Sequence, residues 1–188
     1  NFKLKKFIPA SGAASRMFKF LNEFLNEFDL ENETINAYIN RKNATELKIF
    51  LAGLEKFPFF KAVNNKILEE FSDLKSWNKD QQNYCFIKMM LEERHFDFSN
   101  KPKGVLPFHQ YQNQIVTPIE EHLKEGILYS SAKGVSNLHF TISETHKLQF
   151  ENILDKVKSK VEKMSGNKIN IAFSHQQKHT DSIAVDSE

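Results

Sequence analysis

Apolar residues recur along this chain with two different spacings, and the spacing assigns the elements. In Asn137–Ser143 and in Lys168–Ser174 they alternate: Phe140 and Ile142 in the first stretch, Ile169, Ile171 and Phe173 in the second. Alternation places every second side chain on one face of a strand. A shorter run, Leu4–Pro9, predicts a third strand near the start. Between the two alternating stretches, Phe150, Leu154, Val157, Val161 and Met164 recur at steps of four and three. That is one face of a helix, predicted over Glu144–Met164, with Ser143 as its cap and Gly166 at its end. Strand, helix and strand in this order predict a parallel pair joined by a right-handed crossover. Another helix start is written into Thr117-Pro118-Ile119-Glu120, with Thr at the cap, Pro at the first helical position and Glu at the third. Gly126 marks its predicted end.

The stretch from about Phe18 to His95 carries helical spacing throughout. Leu47, Phe50 or Leu51, Leu54 and Phe57 share a face, with Asn43 and Glu46 placed as cap and capping partner. Val63, Ile67, Phe71 and Leu74 form a second stripe. A further helix is predicted from Lys79 to Arg94, ending before His95-Phe96-Asp97-Phe98. The many Phe residues here read as core, with a lid or partner surface as the other reading. No repeat and no Gly/Ser-rich or Pro-rich linker divides the chain. Residues 1–188 therefore read as a single α/β domain with a helical insertion over 18–100. The chain enters its first strand at once and stops soon after an apolar run, so it is expected to be part of a longer protein.

Composition narrows the partners. With 188 residues, 40% of them hydrophobic and 27% charged, the chain can bury a sizeable core. A formal net charge of +2 without a basic block does not favour nucleic acid. Cys85 is the single cysteine, which excludes an internal disulfide and a multi-cysteine metal site. No apolar run approaches membrane-spanning length and no signal peptide is visible, so a cytoplasmic location is expected. Oligomeric state is not legible.

Three segments carry candidate chemistry. Pro9-Ala10-Ser11-Gly12-Ala13-Ala14-Ser15-Arg16-Met17 follows the first strand. A strand, a loop of small residues and an Arg opening a helix form a phosphate-binding arrangement, because small side chains let phosphate oxygens approach backbone N–H groups at a helix start. Ala10, Ser11, Gly12, Ala13, Ala14 and Ser15 are the candidate nucleotide contacts. Arg16 is the candidate bidentate phosphate ligand, its plainer reading being a surface Arg. Pro102-Lys103-Gly104-Val105-Leu106-Pro107 is the second segment and Thr117-Pro118-Ile119-Glu120 the third. Histidines 109, 122, 139 and 146 show no ligand spacing. His175 and His179, four apart, would need a helix and a third ligand to bind a metal. Cys85 sits among Tyr84, Ile87 and Leu91 and reads as packing.

The ordered trio resembles the signature of sugar-nucleotide pyrophosphorylases and the wider nucleotidyltransferase family. There the pattern runs Ala-Gly-Gly-x-Gly-Thr-Arg-Met, then Pro-Lys-x-Leu-Leu-Pro, then Lys-Pro-hydrophobic-Ile. Ser11 and Ala14 stand where that family has glycines, and Gly104 replaces a proline. The 85 residues from Met17 to Lys101 separate elements that lie close together in the family. The phrase from Lys6 to Lys19 also resembles an uncharacterised bacterial family, a domain of unknown function. The first resemblance implies a three-layer α/β fold with a mostly parallel sheet, nucleotide-diphospho-sugar transferase-like (GT-A type). It implies Mg²⁺-dependent nucleotidyl transfer from a nucleoside triphosphate to a phosphorylated sugar or similar small molecule. Lys103 matches the family's phosphate-contacting lysine, a solvated loop lysine being the other reading. Gln177 and Thr180, after the last strand, match base- and sugar-contacting positions, or else belong to a polar loop. The family's Mg²⁺ carboxylate is expected beyond this chain segment, with Asp181 and Asp186 the last candidates here. A non-catalytic or regulatory nucleotide-binding module and a Phe-rich interaction scaffold are the alternative functions.

Overall fold

A computed structural model describes residues 4–10, 12–112 and 114–176. The chain divides into two compact units. An α/β unit comprises Asn1–Gly12, Pro102–Leu106 and Val116–Glu188, and a helical unit comprises Ala13–Lys101 and Pro107–Ile115.

In the α/β unit, strand β1 (Lys6–Pro9) runs parallel to β5 (Val135–Ile142), with Ile8 opposite Phe140. Strand β6 (Lys168–His175) pairs in parallel along the whole of β5, Val135 opposite Lys168 and Ile142 opposite His175. The short β4 (Ser131–Ala132) pairs antiparallel with the start of β5. Since β6 fills one edge of β5, β1 and β4 share the other at different heights. Lys133 and Gly134, both at positive φ (53° and 75°), make the two-residue turn between β4 and β5. The sheet is thus small and mixed, not purely parallel.

Burial alternates strictly along β5: Ser136, Leu138, Phe140 and Ile142 are buried, and Val135, Asn137, His139 and Thr141 are half-buried. The inward set meets helix α6 (Pro118–Ser130) through Ile119 and Leu123 and helix α7 (Lys147–Ser165) through Phe150, Leu154 and Val161. Phe140, Phe150 and Phe173 stack edge to face or tilted, their centroids 5.3–6.3 Å apart. Both helices therefore share one core on one face of the sheet. The opposite face bears Phe7, Asn137, His139, Asn170 and Ser174 and carries neither α6 nor α7. Within this unit the described residues form two layers where three were expected.

In this unit the end of α6 and the start of α7 differ from the sequence reading. Gly126 does not end α6 but lies buried inside it. A Cβ at Gly126 would fall 2.5 Å from Cδ2 and 3.2 Å from Cγ of Leu138, so the glycine permits the close approach of helix and strand. Its carbonyl accepts from the buried hydroxyls of Ser130 at 2.6 Å and Ser136 at 3.2 Å. At the other helix, a single 3₁₀ turn, Glu144–His146, precedes α7, and Ser143 bonds the Thr145 hydroxyl instead of capping the backbone. Gly166 does end α7, in the left-handed region at φ 69°. Thr117 caps α6, accepting from the Glu120 N–H at 3.4 Å. The reciprocal half of the capping box is replaced: the buried Glu120 carboxylate bonds Lys160 at 2.8 Å and Lys124 at 3.1 Å, joining α6 to α7.

The helical unit contains α1 (Lys19–Glu27), α2 (Ile35–Lys42), α3 (Thr45–Ala52), α4 (Phe60–Glu70) and α5 (Lys79–Leu91). Thr34 caps α2, and Asn78 with Gln81 makes a complete capping box on α5. Asn43 does not start α3; it ends α2 in the left-handed region, φ 53°, a conformation Asn tolerates well. Phe24, Phe28, Tyr38 and Tyr84 pack ring against ring, as do Phe50, Phe57, Phe59 and Phe98. No Phe from 18 to 98 is exposed, so these rings serve the core. Residues 107–115 of this unit contain β2 (His109–Tyr111), which pairs with β3 (Gln114–Val116) in a separate ribbon. Cys85 is half-buried, and desolvation raises its thiol above the usual range, consistent with packing.

Gly126→Ala sets a helix gain of up to ~1 kcal/mol against overpacking of ~1–3 kcal/mol. With Leu138 only 1% exposed, the second term dominates. Urea unfolding should show a net loss of about 1–2 kcal/mol, and an unchanged or higher midpoint would show that Leu138 yields freely.

Candidate functional site

The candidate site lies in the α/β unit, where β1 runs out. The Ala10 N–H donates to the Thr141 carbonyl at 2.8 Å, extending the β1–β5 ladder by one step. Two residues on, the Gly12 carbonyl accepts from the Lys103 N–H at 3.0 Å. Pro102 begins a 3₁₀ turn over Lys103–Val105 that is anchored by buried Val105 and Leu106. Gly104 lets this turn lie close to its neighbours: a Cβ there would sit 3.3 Å from Ile119 Cγ1 and 3.5 Å from Phe150 Cε2. The capped first turn of α6 completes the enclosure.

The result is a cavity of about 170 Å³. Pro9, Ala10 and Gly12 of the first segment line it, with Lys103 and Gly104 of the second and Pro118 and Ile119 of the third. His122, one turn further along α6, closes the wall. Among the described residues the lining holds one lysine, one histidine and no carboxylate. The nearby acids are engaged elsewhere: Glu120 with Lys124 and Lys160, and Glu125 with Lys6 and with His122 Nδ1 at 3.4 Å. Lys6 first, then His122, holds the Glu125 carboxyl below the usual glutamate range. A wall of small residues with cationic and neutral polar groups suits one anionic group of phosphate size, the remainder of a larger ligand lying outside.

Of the residues singled out in the sequence, the structure brings Ala10, Gly12 and Lys103 to this cavity. Ala13, Ala14, Ser15 and Arg16 belong to the helical unit. There Ala14 is fully buried, its N–H donates to the Lys101 carbonyl at 3.0 Å, and its carbonyl accepts from Met17 and Phe18. The Ala14 N–H is thus used inside the protein and does not face a ligand. Arg16 is exposed in the turn preceding α1, not inside the helix, because the chain first turns on the Ala14 carbonyl and α1 begins only at Lys19. Ser11, Gln177, His179, Thr180, Asp181 and Asp186 lie outside the described residues. The sequence reading named His122 only as one of four histidines without ligand spacing and gave it no role. The available signal was its spacing of three from Glu125 on a helix, which places the two side chains on one face.

Fold and site together define an α/β protein with a small cavity, walled by small and apolar residues with one lysine and one histidine among those described, at the carboxyl end of its first strand, the position where open α/β sheets bind ligands. The chain belongs to the family described as domain of unknown function DUF4301, whose profile matches residues 1–188. The resemblance to an uncharacterised family is thereby borne out over the full length. No curated protein and no solved structure matches the chain. Among the described residues no helix is long and apolar enough to cross a membrane, and no group of His, Cys, Asp and Glu could hold a metal ion.

Because the Glu125 carboxyl is depressed, its ion pair with Lys6 contributes above the ordinary glutamate range and is lost as pH falls through the lowered value. Carboxyl NMR titration should find the Glu125 midpoint below that of an exposed glutamate, about 4.3, and Lys6→Met should return it towards that value. A midpoint untouched by Lys6→Met would show that the pair does not persist in solution.

Proposed function

We propose that the α/β unit binds phosphoryl groups of a nucleotide or nucleotide-sugar, and that the protein transfers a nucleotidyl group from a nucleoside triphosphate to a phosphorylated sugar or similar small molecule with the help of Mg²⁺. The supporting observation is convergence. Three segments that resemble the three elements of the nucleotidyltransferase signature, far apart in the chain, line one cavity at the end of β1. In the proposed reaction a phosphate oxygen of the acceptor attacks the α-phosphorus of the triphosphate and pyrophosphate leaves with the electron pair of the broken bond. Positioning and charge stabilisation are what a protein contributes to such a step. Lys103 is the cation for the phosphates, and Gly12 and Gly104 allow backbone to approach them. Gln177 and Thr180 are, by the same resemblance, candidate contacts to base and sugar. The nucleotide-diphospho-sugar transferase-like arrangement is part of this proposal, as is a soluble, cytoplasmic setting.

The described residues of the lining do not by themselves fit a resident Mg²⁺: hard divalent cations take carboxylate oxygens, and none of these residues offers one. The chemistry assigned to this chain is therefore binding and charge neutralisation. That same composition favours a second reading, a nucleotide-binding module without catalysis. The Phe-rich helices, whose rings are buried, offer less support for a scaffold.

A thermal-shift panel of nucleoside triphosphates, with and without Mg²⁺, tests the proposal. At about a hundred times Kd, binding contributes ~2.7 kcal/mol, or roughly 5–10 °C for a chain of this size. Lys103→Ala should weaken binding by roughly tenfold, as expected of one charge-assisted contact. No shift with any triphosphate would end the proposal. Among proteins that do bind, Mg²⁺-dependent pyrophosphate release separates the transferase from the module.

A further inference from the structure

His122 carries more than its position in the wall. Its Nδ1 faces the Glu125 carboxylate at 3.4 Å, and Lys6 of β1 bonds that same carboxylate oxygen. A ring nitrogen held by a carboxylate fixes both the orientation of the imidazole and the side on which a proton sits. With Nδ1 so engaged and the ring lining the cavity, Nε2 on the far edge is the polar atom left for the cavity. Among the described residues it has no protein partner.

We propose that His122 is a pH-dependent phosphoryl-binding residue: as the imidazolium it donates from Nε2 to a phosphoryl oxygen in the cavity, while Glu125, anchored by Lys6, positions it as a relay. The inference rests on the phosphoryl-binding reading of the cavity and adds the group that makes the binding depend on pH. The charged groups around the ring are Glu125 on its own helix, Lys6 on β1 and Lys103 on the 3₁₀ turn. The Glu125 charge is kept by Lys6. A phosphoryl group in the cavity then faces Lys103 and the His122 imidazolium, and histidine is the side-chain type whose charge changes across neutral pH. Protonation of His122 and anion binding are therefore linked: each favours the other, and the advantage disappears as pH rises through the histidine range. The ligand is recognised by its phosphoryl oxygens, whether free pyrophosphate or the phosphates of a nucleotide.

The test uses the full chain and calorimetry with two probes, inorganic pyrophosphate and a mixture of nucleoside triphosphates, at about pH 6 and about pH 8. The wild-type chain should bind roughly tenfold more tightly at the lower pH, the order expected of one charge-assisted hydrogen bond. His122→Gln should keep only the pH dependence of the probe's own ionisation, which is common to both proteins. Glu125→Gln should reduce the slope without abolishing binding. Lys103→Ala should weaken binding at both pH values and leave the slope in place. A slope with both probes supports the role for free and nucleotide-borne phosphoryl groups alike; a slope with the triphosphates alone supports it for the nucleotide. If His122→Gln retains the wild-type slope, the role of His122 is overturned while the phosphoryl-binding cavity stands. If the wild-type chain binds neither probe at either pH, both are overturned.

Discussion

Strand β5 is paired along both edges, and the α/β unit is built outward from that constraint. β6 occupies one edge for the full length of β5, and β1 and β4 divide the other. A strand so placed cannot slip by one residue without turning Leu138, Phe140 and Ile142 out of the core. Its inward face sets where α6 and α7 lie, and the glycine at 126 sets how close α6 comes. Position 126 gives up helix propensity there, worth up to ~1 kcal/mol. The buried hydroxyls of Ser130 and Ser136 on its carbonyl and the packing on Leu138 offset that cost.

Once α6 is pinned, its first two turns present Pro118, Ile119 and His122 to the end of β1. Of the three acids on this helix, Glu121 pairs with Lys124 at 2.9 Å, and the other two have different fates. Glu120 is buried, and its negative charge is matched by Lys124 and Lys160, which makes it a tie between helices. Glu125 is half-exposed and bridges Lys6 and His122, which makes it a positioning group at the edge of the cavity. With these acids engaged elsewhere, the described residues of the lining are positive to neutral. A site for an anion needs that bias, since an acid in the same wall would repel the ligand at contact distance.

The helical unit is organised by aromatic rings rather than by aliphatic stripes alone. Edge-to-face and stacked pairs fill its interior, each adding ~0.5–1.5 kcal/mol beyond burial. Its helices are short, so caps matter: Thr34 and the Asn78–Gln81 box satisfy N–H groups that water would otherwise have to reach. The abundance of Phe, which by composition alone admits an exposed binding surface, is thus accounted for by packing.

The period of the apolar pattern was enough to read β5, β6 and α7, because each has one buried face and a repeat that only one element satisfies, while β1 was legible as a short apolar run. The start of α6 was legible for the same kind of local reason, since Thr117 and Pro118 act within one turn. Short-range signals failed where a distant residue decided the outcome. Gly126 reads as a stop, yet it continues the helix because Leu138 needs the space; Lys133-Gly134 carries no strong hairpin signal, yet β5 pulls β4 back onto itself. Of the candidate site, the sequence determined the three small-residue and proline segments and the lysine among them. Only the tertiary structure decided that these segments share a cavity and that His122 joins them. That residue is oriented by Glu125, and Glu125 by a lysine 119 positions away on β1. No local spacing records such a contact, because it exists only once the parallel β1–β5 pair has brought the first strand beside the helix.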